Sequence, residues 1–246
     1  MHEVYIIIAL IFGGQAIGSL LGLLGKPSNR LLHSSLAFAG SMMLAISFFD
    51  LLPQAFRVTA APVVAASFLA GIVVFKVLDK AIPHVHPEFL RKEQDGVKRS
   101  VDTLLMGMSL HNIPEGLAVG VGLALDPVMG LLIAVAVSIQ DIPENLATIV
   151  PLYCVNKCKS RSFIIVMGTA LFELVGFFVG YIILRGASLD AVGMSLAAAA
   201  GLMTYISMDE LIPAAQIRER PKAGLISFAL GVAVVIALVL AFPAAL

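Results

Sequence analysis

Eight apolar stretches, each long enough to cross a lipid bilayer, occupy almost the whole of this 246-residue chain. A spanning helix needs about 20 mainly apolar residues, and such stretches run at 4–24, 31–55, 59–81, 101–124, 128–153, 162–184, 190–215 and 223–244. Lipid offers no hydrogen-bond partner to a backbone amide or carbonyl, so segments of this kind fold as helices that satisfy themselves. The expected fold is all-α: a polytopic membrane bundle of eight transmembrane helices forming a single transmembrane domain over residues 1–246. With 59% of residues hydrophobic and only 13% charged, a soluble globular domain is excluded. Met1-His2-Glu3 leads into the first stretch without the basic residues of a secretory signal, which marks that stretch as a retained span.

The charges that remain are unevenly placed. If the spans alternate, Lys26, Arg30, Lys80, Arg91, Lys92, Lys98, Arg99, Lys157, Lys159, Arg161, Arg218, Arg220 and Lys222 all fall on one side, against Arg57 and Arg185 on the other. Lys76 stands near a helix end, where its long stem can carry the ammonium to the interface. Cytoplasmic loops carry the excess of Lys and Arg, so both termini are expected outside the cytoplasm. The expected setting is a plasma membrane or bacterial inner membrane, with the lipid bilayer as partner. The longest connection, 82–100, becomes a cytoplasmic loop between helices 3 and 4 and contains His84 and His86. No basic run with interleaved aromatics points to nucleic acid. Cys154 and Cys158, four apart in a polar connection, have neither redox nor zinc-finger spacing and read as reduced bystanders.

Two internal echoes organise the chain. Ser109-Leu110-His111-Asn112-Ile113-Pro114-Glu115-Gly116-Leu117-Ala118 returns 29 residues later as Ser138-Ile139-Gln140-Asp141-Ile142-Pro143-Glu144-Asn145-Leu146-Ala147. At an offset of 160, Ser47, Asp50, Leu51, Pro53 and Ala55 of helix 2 match Ser207, Glu210, Leu211, Pro213 and Ala215 of helix 7. Helices 2 and 7 run in opposite directions in an alternating bundle. The pattern suggests a 3+2+3 plan, with helices 1–3 and 6–8 as inverted repeats around a central pair, as in many secondary transporters.

The chemistry lies inside the spans. Asp50, Glu115, Asp141, Glu144, Glu173, Asp209 and Glu210 are intramembrane acids with no basic residue near the bilayer centre to neutralise them. Each such charge costs about 2.5–3.5 kcal/mol on insertion scales, so the set implies protons or a cation among them. Residues four apart share a helix face, which groups His111 with Glu115 and Gln140 with Glu144, with Asn112 and Asp141 each three residues from its glutamate. Counting 1.5 Å per residue from the span ends puts His111, Asp141 and Glu173 near the midplane. Pro114 and Pro143 cannot donate to Leu110 and Ile139, which frees those carbonyls at membrane depth. Imidazole, amide and carboxylate donors suit zinc, manganese or ferrous iron, and the absence of thiolates argues against copper(I).

His111-Asn112-Ile113-Pro114-Glu115-Gly116, followed in the next span by Gln140-Asp141-Ile142-Pro143-Glu144-Asn145, resembles the ZIP (Zrt-, Irt-like protein) family of divalent-metal transporters. The likeness covers nearly the whole chain. It implies a metal site on helices 4, 5 and 6, holding one ion or two, with His111, Asn112 and Glu115, Gln140, Asp141 and Glu144, and Glu173 as ligands. Glu115 and Glu144 would bridge two ions. Many members carry a His-Glu pair and a further His where this chain has Gln140, Asp141 and Asn145, so its second metal position differs in ligands. The resemblance further implies zinc as cargo, with Mn2+, Fe2+ and Cd2+ as alternatives, and a homodimer. On this reading the ion enters past Asp50 and leaves toward the cytoplasm past Glu210 and Asp209. The chain is then not an enzyme. Three alternatives stay open: a metal-gated channel, a metal receptor without transport, and an intramembrane metal-dependent hydrolase, for which no HExxH motif or nucleophile set is present.

Overall fold

A computed structural model describes residues 2–25, 27–81, 94–217 and 221–242. Every element among them is helical. The helices are α1 (His2–Leu24), α2 (Asn29–Val58), α3 (Ala61–Ala81), α4 (Gln94–Leu125), α5 (Pro127–Asn156), α6 (Lys159–Leu184), α7 (Leu189–Ala214) and α8 (Pro221–Ala241). Seven of the eight are long and apolar enough to cross a membrane. The other, α4, is the longest, about 48 Å at 1.5 Å per residue, and His111, Asn112 and Glu115 dilute its apolar character. It also corrects the expected loop: the backbone is helical from Gln94, not from residue 101. His84 and His86 lie outside the described residues.

The helix boundaries follow from local chemistry. Ser28 caps α2 by accepting from Leu31 N at 3.2 Å, and Asp126 caps α5 by accepting from Val128 N at 2.8 Å and Met129 N at 3.1 Å. Pro127 stands at the first position of α5, where a missing N–H costs nothing. Lys157, in the left-handed region at φ 54°, ends α5. Asp126→Ala should remove about 1 kcal/mol of stability, read as a small drop in melting temperature of the purified protein in detergent.

Helices α2 and α7 share a feature that their sequence echo foreshadows. Each contains one π-helical turn, at Ser47–Leu51 and at Ser207–Leu211. Leu52 N–H bonds to Ser47 O, and Ile212 N–H bonds to Ser207 O, in the wider register. Ser47 Oγ donates to Met43 O and Ser207 Oγ to Met203 O, both at 2.9 Å. The prolines supply the cause. Pro53 and Pro213 have no N–H for the carbonyls of Phe49 and Asp209, so the turn before each is free to widen.

Packing obeys the same duplication. α1 lies chiefly against α5 and α4 against α6, while α2 lies against α8 and α3 against α7. Exchanging 1 with 6, 2 with 7, 3 with 8 and 4 with 5 maps this set of pairs onto itself. Close approaches agree at the level of residues. A Cβ on Gly18 would come within 2.3 Å of Ile142 O, and one on Gly176 within 2.2 Å of Ile113 O, its repeat mate. A Cβ on Gly71 would meet Ala198 O at 2.1 Å, and one on Gly231 would meet Phe38 O at 2.6 Å. Backbones this close need small residues. The core between the helices is filled by Met42, Met43 and Ile46 of α2, Val119 of α4, Ile133 of α5 and Phe177 of α6. Leu69, Val73 and Val77 of α3, Ile182 and Ile183 of α6 and Leu225, Ile226 and Leu230 of α8 point outward, the arrangement of a protein solvated by lipid.

Candidate metal centre

Glu115 on α4 and Asp141 and Glu144 on α5 each bring a carboxylate oxygen within 4.8 Å of the other two. None of the three is more than 1% exposed. Gln140 Nε2 donates to Glu115 Oε1 in a short hydrogen bond. The other oxygen of Glu115, Asp141 Oδ2 and both oxygens of Glu144 accept no hydrogen bond. Buried carboxylates that are neither hydrogen-bonded nor paired with a cation are expensive, and α1, α5, α7 and residues 162–184 of α6 contain no lysine or arginine. Converging orphan oxygens of this kind are the donor set of a hard or borderline divalent cation.

His111, one turn before Glu115, places Nδ1 3.8 Å from Glu144 Oε1 and Nε2 3.0 Å from Glu210 Oε2. Its ring therefore bridges the carboxylate group and α7. Glu210, expected along an inner exit path, belongs to the immediate surroundings of His111. That contact comes from the π turn Ser207–Leu211 of α7, on which Glu210 sits.

On α6, Glu173 is fully buried and its backbone abuts Gly116, the residue after Glu115. Glu173 Oε2 accepts from Gln15 Nε2 of α1 at 2.7 Å, while Oε1 accepts nothing. Asn112 Nδ2 donates to Thr169 O at 3.0 Å, so the amide fastens α4 to α6 and only its carbonyl oxygen could face a cation. The structure thus gathers His111, Asn112, Glu115, Gln140, Asp141, Glu144 and Glu173 onto three neighbouring helices. It adds residues that the motifs do not contain: Gln15, completely buried, and Thr169 beside it. Asn145 Nδ2 donates to Asp141 O at 3.0 Å and leaves Oδ1 without a donor.

Asp50 and Asp209 are not among the converging carboxylates. Asp50, on the π turn of α2, is 1% exposed and its Oδ2 has no hydrogen bond. Asp209 is exposed and lies beside Tyr205, whose hydroxyl is 3.3 Å from Asp79 Oδ2.

Comparison with known proteins rests on more than the motif. A sequence model of the family described as ZIP Zinc transporter matches residues 96–239, from the beginning of α4 into α8. The chain belongs to the ZIP family. Among its ZIP relatives, the "Zinc transporter ZupT" of Enterobacter sp. (strain 638) is 38% identical over 225 residues, covering 87% of each chain. The protein of the same name from Escherichia coli O1:K1 / APEC is 37% identical over 222 residues, covering 85% of this chain and 86% of that one. The ZIP match includes both motif helices and α6, so every residue of the carboxylate group falls within it. Gln15 falls outside that match.

Proposed function

We propose that this ZIP protein carries divalent cations, zinc foremost, across the membrane toward the cytoplasm through the site on α4, α5 and α6. The observation that carries this reading is the buried carboxylate group Glu115, Asp141 and Glu144, whose oxygens converge and which holds oxygens without hydrogen bonds. A membrane protein that maintains such a group at its centre has a cation as its natural occupant. The relatives named as zinc transporters supply the cargo, and the carboxylate and imidazole donors suit it.

In this reading His111, Asn112, Glu115, Gln140, Asp141, Glu144 and Glu173 ligate, with Glu115 and Glu144 bridging when two ions are held. Asp50 serves the outer approach. Glu210, already against His111, receives the ion as it leaves the site toward the cytoplasm, and Asp209 follows it. The basic asymmetry of the connections supports a topology with both termini outside the cytoplasm. The eight helices act as one transport unit, and the family resemblance implies a homodimer.

The test is zinc entry into proteoliposomes containing the purified protein and a trapped metal-sensitive dye. Uptake should saturate with zinc concentration and be reduced by competing Mn2+, Fe2+ and Cd2+. Zinc binding without any flux would overturn the transport reading.

A further inference from the structure

We propose that Gln15 is a positioning residue of the metal site, forming with Glu173 a matched donor-acceptor pair that presents one carboxylate oxygen to the ion. The inference rests on the site reading above and adds to it a residue from α1.

The two residues are related by the internal duplication. Gln15 opens the pattern Gln-x-x-Gly-x-x-x-Gly with Gly18 and Gly22, and Glu173 opens Glu-x-x-Gly-x-x-x-Gly with Gly176 and Gly180. The glycines make equivalent contacts. Gly18 and Gly22 lie against Ile142 O and Leu146 O of α5, and Gly176 and Gly180 lie against Ile113 O and Leu117 O of α4. Ile113 and Ile142, like Leu117 and Leu146, are partners in the repeat that contains Glu115 and Glu144. Residues 15 and 173 are therefore the same position seen from the two halves of the protein, and they meet.

At that meeting point the duplicated position has diverged to complementary chemistry. Gln15 Nε2 donates to Glu173 Oε2 at 2.7 Å, and both residues are 0% exposed. The carboxylate can only accept, which sets the amide with its nitrogen toward Glu173 and leaves Gln15 Oε1 3.4 Å from Thr169 Oγ1, a hydroxyl that donates to Val166 O at 2.8 Å. Thr169 also accepts Asn112 Nδ2 at its backbone oxygen. One oxygen of Glu173 is thereby held and the other, Oε1, is left unpaired. Two glutamates here would add another buried charge to a group already rich in them. Two glutamines would remove the acid. The mixed pair supplies one carboxylate and fixes its orientation.

The duplication gives the inference a sharp test, because the pair can be exchanged. Zinc uptake into proteoliposomes is measured for wild type, Gln15→Ala, Gln15→Glu, Glu173→Gln and the exchanged variant Gln15→Glu/Glu173→Gln, with Glu144→Ala as the control for the site itself. Loss of a hydrogen bond to a charged group should raise the half-saturating zinc concentration of Gln15→Ala about tenfold, with the maximal rate within about twofold. Each single charge-altering variant should be impaired at least about tenfold, and the exchanged variant should recover to within about threefold of wild type. A helix that tolerated Gln15→Glu only by loosening would gain nothing from the second change. Recovery absent in the exchanged variant, with Glu144→Ala inactive, would overturn the pairing alone. Normal uptake by Glu144→Ala would overturn the site reading and this inference together.

Discussion

Glu144→Ala is expected to abolish zinc uptake while leaving the protein folded. Both oxygens of Glu144 lack hydrogen bonds, and one of them faces His111 at 3.8 Å, so the side chain does little to hold the bundle together. What it contributes is charge at the centre of the group it forms with Glu115 and Asp141. Changes to mere supporting partners of metal ligands typically cost 10–100-fold in affinity. Loss of a ligand shared between Glu115, Asp141 and His111 should therefore cost more than about 100-fold in uptake at limiting zinc. Removing one of several like charges also relieves repulsion, so the melting temperature in detergent should hold or rise. Glu144→Gln keeps the shape and loses the charge, and it should fail in the same way. Full uptake by either variant, in vesicles shown to contain intact protein, would remove Glu144 from the site.

A Gly116→Val substitution should damage the protein itself. The first atom of the new side chain would lie 1.8 Å from Glu173 O, 2.7 Å from Glu173 C and 2.8 Å from Phe177 N. All three are backbone atoms of α6, and none can swing aside as a side chain would. Overpacking of a well-fitted core typically costs about 1–3 kcal/mol, and a clash between two helix backbones belongs at or above the upper end. Separation of α4 from α6 would also carry Glu173 away from Glu115. Gly13→Ala serves as the comparison, since nothing lies within 4 Å of its new Cβ. Melting temperature and size-exclusion profile in detergent should be near wild type for Gly13→Ala, with a large loss of stability or aggregation for Gly116→Val. Similar behaviour of the two would contradict the close packing of α4 on α6.

The eight spans, the motif helices and the duplication were legible because each leaves a pattern in the chain. Apolar length reveals a span, spacing by four reveals a face, and a fixed offset reveals a repeat. Gln15 was not legible from those patterns, since one amide in an apolar span ordinarily reads as interhelical glue. The signal that could have found it is the shared glycine spacing after Gln15 and Glu173, which becomes meaningful only once α1 and α6 are compared as repeat mates. The start of α4 at Gln94 was hidden by polar composition, which helix and loop share outside a membrane. Glu210 was recognised through its echo of Asp50 and expected along the exit path, but nothing in the sequence pattern pairs it with His111. That contact joins α4 to the π turn of α7 and belongs to the tertiary structure.

The matched π turns carry information about ancestry. A π turn holds one residue more than an α turn needs, and it is rare in helices. Here Ser47–Leu51 and Ser207–Leu211 carry the irregularity at equivalent points, with the same serine bond and the same proline two residues after the turn. The economical history is one insertion, made in a shorter three-helix ancestor, and copied when that ancestor's gene was doubled. On that history the irregular turn predates the doubling, and it stands in both halves where Gln15 and Glu173 differ in chemistry.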